Sequence, residues 1–114
     1  VFSYMRECDL SYLNLSFIEQ HYSEDISIED ISSFCGLNRS YFSKVFRDTM
    51  GESPQGFLLH YRMARAAQLL TESRLPISTI STMVSYPNQL HFSRAFKNVY
   101  GISPRDYRAK HLAL

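Results

Sequence analysis

The feature that most constrains how this chain can fold is a repeat held in fixed register. Residues 41–57 read YFSKVFRDTMGESPQGF, and residues 91–107 read HFSRAFKNVYGISPRDY. Fifty residues apart, Phe42 matches Phe92, Ser43 Ser93, Lys44 Arg94, Phe46 Phe96, Gly51 Gly101, Ser53 Ser103, Pro54 Pro104 and Phe57 Tyr107. Chance does not readily give so many matches in one register, so they indicate an internal duplication. Between the copies lies PQGFLLHYRMARAAQLLTESR (54–74), rich in helix formers, with apolar Phe57, Leu58, Tyr61, Ala64, Leu69 and Leu70. Ser53 stands where an N-cap belongs and Pro54 where a missing N–H is tolerated. The next breaker is Pro76, so roughly 20 residues can run as one helix about 30 Å long. The spacing predicts a rod that holds two copies of one unit apart.

At 114 residues the chain is one domain or two very small ones, and each half is at the size where a core is marginal. The 45% hydrophobic content is ordinary for a globular chain. No apolar run approaches the roughly 20 residues of a membrane span, and no signal-peptide pattern opens the sequence. The start at Val1 fits a piece of something longer. Cys8 and Cys35 lack CxxC spacing and a neighbouring His pair, which reads as two reduced thiols in a cytosolic protein. His21, His60, His91 and His111 show no metal-ligand spacing, so neither a metal nor a cofactor is expected.

The formal net charge of +1 hides a strong asymmetry. Residues 1–36 hold Arg6 against Glu7, Asp9, Glu19, Glu24, Asp25, Glu29 and Asp30, a net −6. Residues 37–114 hold the other eleven bases against Asp48, Glu52, Glu72 and Asp106, a net +7. Such polarity permits one face for an anionic partner and one acidic face. A merely solvated mixed surface would carry the same charges.

Taken in order, Leu10 to Tyr22 places Leu10, Leu13, Phe17, Ile18 and Tyr22 near one helical stripe, a first helix. Ser27 looks like an N-cap with Asp30 at the capping-box position, and Ile28, Ile31, Phe34 and Cys35 make a short second helix that Gly36 stops. Asn38 caps a third helix, Arg39 to Met50, with Phe42, Val45, Phe46 and Met50 inward and Arg39, Ser40, Ser43, Lys44 and Arg47 on the opposite face. Gly51 ends it. Beyond the rod, Pro76 opens a fifth helix with Ile77, Ile80, Met83 and Val84 inward. Asn88 caps a sixth, Gln89 to Tyr100, with Phe92, Ala95, Phe96, Val99 and Tyr100 toward the core and Gln89, Leu90, Ser93, Arg94 and Lys97 on the open face. Gly101 terminates it, and Ser103-Pro104 begins a last short helix bearing Tyr107. No stretch with strand periodicity survives. The expected fold is all-α.

A short helix, a turn with Gly and a second helix with one apolar and one basic, polar face is the helix–turn–helix pattern. One copy is weak evidence, but two with matching cores and matching Ser-basic pairs (Ser43-Lys44, Ser93-Arg94) are much stronger. The second helix of such a unit must offer a major groove short side chains for close approach and donors for base edges and phosphates. A rod of about 30 Å suits two such helices about 34 Å apart, one turn of B-DNA, so one chain could fill two adjacent major grooves.

Here the resemblance becomes specific. The run GLNRSYFSKVFRDTMGESPQGFLLHYRMARAAQLL, followed by ISTISTMVSYPNQLHFSRAFKNVYGISPRDYR, resembles the DNA-binding domain of AraC/XylS-type bacterial transcription regulators over roughly residues 10–110. Phe92 to Arg108 carry that family's signature, F-S-R-x-F-K-x-x-x-G-x-S-P-x-x-Y-R. The resemblance implies about seven helices in two homeodomain-like three-helix subdomains joined by a long central helix. On this chain that gives an N-terminal linker or remnant at 1–9, subdomains at 10–53 and 75–110, the connector at 54–74 and a tail at 111–114. It also implies a separate ligand-sensing or receiver domain, which this stretch does not include. Activation is the family's commoner mode, with RNA polymerase as a further partner and the cytoplasm, on the nucleoid, as the location. One departure is plain: the family's second turn usually starts Gly-Phe or Gly-Tyr, whereas this chain has Ser85-Tyr86. Where that position needs a positive φ, Ser costs about 1 kcal/mol relative to Gly, and Pro87 stiffens the same turn.

Arg39, Ser40, Ser43 and Lys44 match the family's base-reading positions of the first unit, and Gln89, Leu90, Ser93 and Arg94 are their counterparts in the second. Against this stands the reading of both sets as solvated faces. Leu90 suits a thymine methyl, or else is a half-buried staple or simply a surface leucine. Arg94 suits bidentate guanine recognition, with Lys44 a less directional donor. Arg47 and Lys97 lie one turn further on, toward phosphate, and His91, which precedes the second recognition face, is expected at the DNA backbone as well. Ser27, Ser53 and Ser103 stand at helix N-termini that could add phosphate contacts, although capping alone explains them. The expected function is sequence-specific binding of double-stranded DNA, with no enzymatic activity. Two rivals remain: a protein–protein interaction module using the acidic face, and a DNA-binding appendage of a larger enzyme.

Overall fold

The computed structural model describes residues 15–112, and all regular structure among them is helical. Residues 15–21 form the described part of α1, followed by α2 (Ile28–Phe34), α3 (Arg39–Met50), α4 (Pro54–Glu72), α5 (Ile77–Met83), α6 (Gln89–Tyr100) and α7 (Pro104–His111). The expected positions Cys8, Leu10 and Leu13, the segment 1–9 and the last two tail residues lie outside the described residues. The chain divides into two compact units, Val1–Leu59 and His60–Leu114.

In the first unit, local chemistry sets each helix start. The Ser27 N–H donates to Asp30 Oδ2 at 2.8 Å and the Asp30 N–H to Ser27 Oγ at 3.1 Å, a complete capping box for α2. Asn38 Oδ1 accepts from the Tyr41 N–H at 2.9 Å to start α3, and Ser53 Oγ accepts from the Gly56 N–H at 3.1 Å to start α4. Gly51 ends α3 at φ +81, a left-handed backbone that glycine enters without steric cost. The buried hydrophobic side chains include Ile18, Ile28, Ile31, Cys35, Phe42, Phe46 and Leu58. Phe46 meets Phe42 and Phe57 with ring centroids 5.6 Å away in each case.

The second unit repeats this scheme. Asn88 Oδ1 accepts from the Leu90 and His91 N–H groups, Ser103 Oγ from the Asp106 N–H, and Gly101 closes α6 at φ +83. Met63, Ala66, Ala67, Leu70, Ile80, Val84, Phe92 and Phe96 are buried. The Tyr107 ring lies edge-on to Phe96 at 5.3 Å. Burial follows the duplication position by position: 41–49 and 91–99 carry the same sequence of buried, half-buried and exposed residues.

Four expectations need correction. The second and fifth helices bury different residues from those expected. The stripe follows i, i+3, i+4, i+7, so Ser32 and Ser81 are inside, while Phe34 and Met83 at i+6 lie about 120° round the helix. They are 49% and 37% exposed. The buried hydroxyls are satisfied, Ser32 Oγ donating to Glu29 O at 3.1 Å and Ser81 Oγ to Tyr86 O. In α4 the same spacing buries Met63, Ala66, Ala67 and Leu70 and exposes Ala64. Tyr100 is exposed at its edge, stacked on Phe96 at 4.6 Å. Finally, α4 stops at Glu72 rather than Arg74, and Pro76 is the N-cap of α5 rather than its first residue. Carbonyls at the end of α4 are satisfied both locally and from afar: Ser73 Oγ donates to Leu69 O at 2.6 Å, and Arg108 Nε donates to Leu70 O at 3.1 Å and Nη2 to Ser73 O at 3.4 Å.

The turns of the two units differ by one residue. Gly36 (φ +72) sits two residues before the Asn38 cap, and Ser85 (φ +67) three residues before Asn88. The extra residue is Pro87. Ser85 therefore does take the left-handed backbone that Gly36 takes in the first unit. It is the non-glycine residue in that region among those described.

Candidate nucleic-acid interface

The two recognition candidates are α3 and α6, each with two phenylalanines turned into the core of its own unit. That inward anchor fixes which residues face out. On α3, Arg39, Ser40, Lys44 and Arg47 are exposed and Ser43 is half-buried. They are brought together: Arg39, Ser40, Ser43, Lys44, Arg47 and Asp48 line a shallow depression of about 410 Å³. Its lining joins two small hydroxyl residues, Ser40 and Ser43, to three cations and one carboxylate.

A second, smaller groove of about 180 Å³ joins this face to neighbouring helix starts. Ile28, Arg39, Ser43, Arg47, Ser53, Pro54 and Gln55 line it. Arg47 and Ser53, both expected at DNA backbone, thus share one groove. Ser27 does not line either groove, and its N–H and Oγ are engaged in the capping box, which is the capping explanation of that serine. Ser53 and Ser103 are likewise N-caps.

On α6, Gln89, Leu90, His91, Arg94 and Lys97 are exposed and Ser93 is half-buried. Leu90 is 57% exposed, so it is not a half-buried staple but an apolar group standing in solvent on the polar face. Arg94 takes the position of Lys44, and Lys97 that of Arg47.

Three residues of this surface escaped the sequence reading. Tyr41, 55% exposed in the first turn of α3, occupies the position equivalent to His91, so the repeat register itself could have found it. Gln55 lines the smaller groove from the first turn of α4, with Arg105 as its counterpart in α7. Glu29 has no local signal. It lies in α2, ten residues before Arg39, and its Oε1 accepts a hydrogen bond from Arg39 Nη1 at 2.5 Å.

Nothing nucleophilic is built at Cys35. The side chain is buried, and burial pushes its thiol up to about 11, so the thiolate is scarce at neutral pH. Among the described residues, no helix is long and apolar enough to cross a membrane.

Comparison with known proteins bears on the family of the chain. A family profile described as a helix-turn-helix domain matches residues 31–110. The chain is 36% identical over 93 residues to a protein named probable transcriptional regulator LumQ from Photobacterium leiognathi, covering 82% of this chain and 38% of that protein. Among solved structures it is similar to the C-terminal domain of AraT, a response regulator from Geobacillus stearothermophilus. The TM-score is 0.86 at 32% identity, over 92% of this chain and 87% of that one. It is also similar to a transcriptional regulator from Chromobacterium violaceum described among AraC-type DNA-binding domain-containing proteins. There the TM-score is 0.84 at 28% identity, over 91% and 93% of the two chains. The chain spans about a third of the length of the curated relatives it matches.

Proposed function

The chain belongs to the AraC-type helix-turn-helix family, one of DNA-binding regulator domains rather than enzymes, and from that membership we propose that it binds double-stranded DNA sequence-specifically as the output domain of a bacterial transcription regulator. One observation carries the reading: the serine and two cations on the open face of α3, Ser43, Lys44 and Arg47, recur on α6 as Ser93, Arg94 and Lys97 on the same core scaffold, with the same exposure at each position. Short side chains admit a base-pair edge, and the arginines and lysines supply donors and counter-charge to phosphate.

In this reading residues 10–53 and 75–110 are the two binding subdomains and 54–74 is their connector. Arg39, Ser40, Ser43 and Lys44 read bases in one groove, and Gln89, Leu90, Ser93 and Arg94 in the next. Arg47, Lys97, His91, Tyr41 and Gln55 face phosphates. Arg94 pairs best with guanine because its planar fork matches two acceptors on one base edge, while the Lys44 ammonium is a single point of charge. Leu90 supports contact with a thymine methyl, the apolar feature of the major groove. A sensor or receiver domain and RNA polymerase are the proposed partners, activation the proposed mode, and the cytoplasmic nucleoid the proposed location.

The test is binding to a selected duplex and to an unrelated one across a salt series. Affinity for both should fall linearly in log–log form, with a slope of about −0.9 per phosphate neutralised. The selected duplex should keep its advantage throughout. Absence of binding to any duplex at low salt would overturn the proposal and favour a protein–protein interaction module.

A further inference from the structure

The Glu29–Arg39 ion pair is the observation that the DNA-binding reading leaves unused. Arg39 is the first residue of α3 and lines both grooves of the candidate interface. Its Nη1 donates to Glu29 Oε1 at 2.5 Å, yet both side chains are more than half exposed, 55% for Arg39 and 58% for Glu29. A pair this exposed does little for folding. Its physical consequence is local: it selects one direction for a long, flexible cation that would otherwise sample many rotamers.

Both ends of the pair stand on fixed backbone. Glu29 lies inside the first turn of α2, between the Ser27 and Asp30 members of the capping box, and its carbonyl accepts from the buried Ser32 hydroxyl. Arg39 follows Asn38, whose side chain caps α3 through the Tyr41 N–H. The contact engages Nη1, and the guanidinium has further N–H donors for an acceptor in the groove. A carboxylate at this rim also repels phosphate, so it disfavours the docking of Arg39 on the nearest backbone oxygen.

We propose that Glu29 is a specificity-determining positioning residue: it holds the Arg39 guanidinium toward base edges and away from phosphate. The proposal rests on the DNA-binding reading above. The second unit lacks the device, because the equivalent positions are Ser78 and Gln89. The duplication therefore supplies an internal control.

The experiment compares wild type, Glu29→Ala, Glu29→Gln, Arg39→Ala and the Glu29→Ala/Arg39→Ala double variant. Each is used to select from random duplexes and is then titrated with cognate and scrambled DNA. Glu29→Ala should lower discrimination within the first unit's half of the site by about threefold to tenfold, a part of what one well-placed arginine supplies. It should leave the second half unchanged and bind scrambled DNA at least as tightly as wild type. Arg39→Ala should lose that discrimination and the rest of what the arginine supplies, and the double variant no more than Arg39→Ala alone. If Glu29→Ala lowers the melting temperature, Glu29→Gln, which keeps size and an acceptor oxygen but loses the charge, is read in its place. Equal weakening on all sequences, flattening of both halves, or additive losses would overturn the positioning role while leaving DNA binding intact. A wild type without any sequence preference would overturn both.

Discussion

Replacing Ser85 by glycine should stabilise the second unit, and the sign and size follow from the backbone alone. Ser85 has φ +67, in the region where the Cβ of an L-residue crowds its own carbonyl. That strain costs about 1–2 kcal/mol. Glycine removes it but loses more freedom on folding, an opposing term of about 0.5–1 kcal/mol. The balance favours Ser85→Gly by about 0.5–1 kcal/mol, which is a rise of roughly 2–8 °C in melting temperature for a small domain. Gly101→Ala is the mirror experiment. Its φ is +83 and an added Cβ would meet nothing within 4 Å, so loss of stability there would be conformational rather than steric. Thermal and urea unfolding followed by circular dichroism measures both. A Ser85→Gly protein no more stable than wild type, beside a Gly101→Ala protein that loses stability, would refute the idea that this turn stores backbone strain.

Lys44→Ala and Arg94→Ala should each cost about 1–3 kcal/mol in binding and relax preference in different halves of the site, as read by titration against single-base variants of a selected duplex. Losses equal on all duplexes would mark them as phosphate contacts instead. Arg108→Ala should destabilise the chain by about 1.5–3 kcal/mol in urea unfolding, because it removes charged donors from the carbonyls of Leu70 and Ser73. Cys35 in a Cys8→Ser background should resist thiol reagents in the folded protein and react on unfolding, since its thiol is buried and pushed up to about 11. With the proton held above the ordinary thiol range, raising pH from neutral through 9 should accelerate the native reaction only where the unfolded fraction also rises.

The caps and the repeat were the legible part of this fold. Ser27 with Asp30, Asn38, Gly51, Ser53, Asn88, Gly101 and Ser103 all do locally what their residue types do in isolation, so reading along the chain sufficed. The seven-residue helices were harder, because two turns give periodicity too few points. Phe34 and Met83 were preferred as core on hydrophobicity, while geometry buried Ser32 and Ser81. The end of α4 was only partly legible for a different reason: beside the local Ser73 hydroxyl on Leu69 O, further donors arrive from Arg108, some 35 residues later. The same holds for Glu29, whose bond to Arg39 crosses a turn between two helices. Within the candidate interface, Arg39, Ser40, Ser43, Lys44 and Arg47 were accessible as the polar complement of an apolar stripe. Tyr41 was assigned to neither face of the third helix, although the register with His91 placed it outside.

The most direct measurement is selection of binding sites by the purified chain from random 35-base-pair duplexes at low salt. We expect two dissimilar enriched blocks with centres about 10–11 base pairs apart, one for each helix–turn–helix unit. A pool that stays random after selection would contradict sequence-specific DNA binding by this chain.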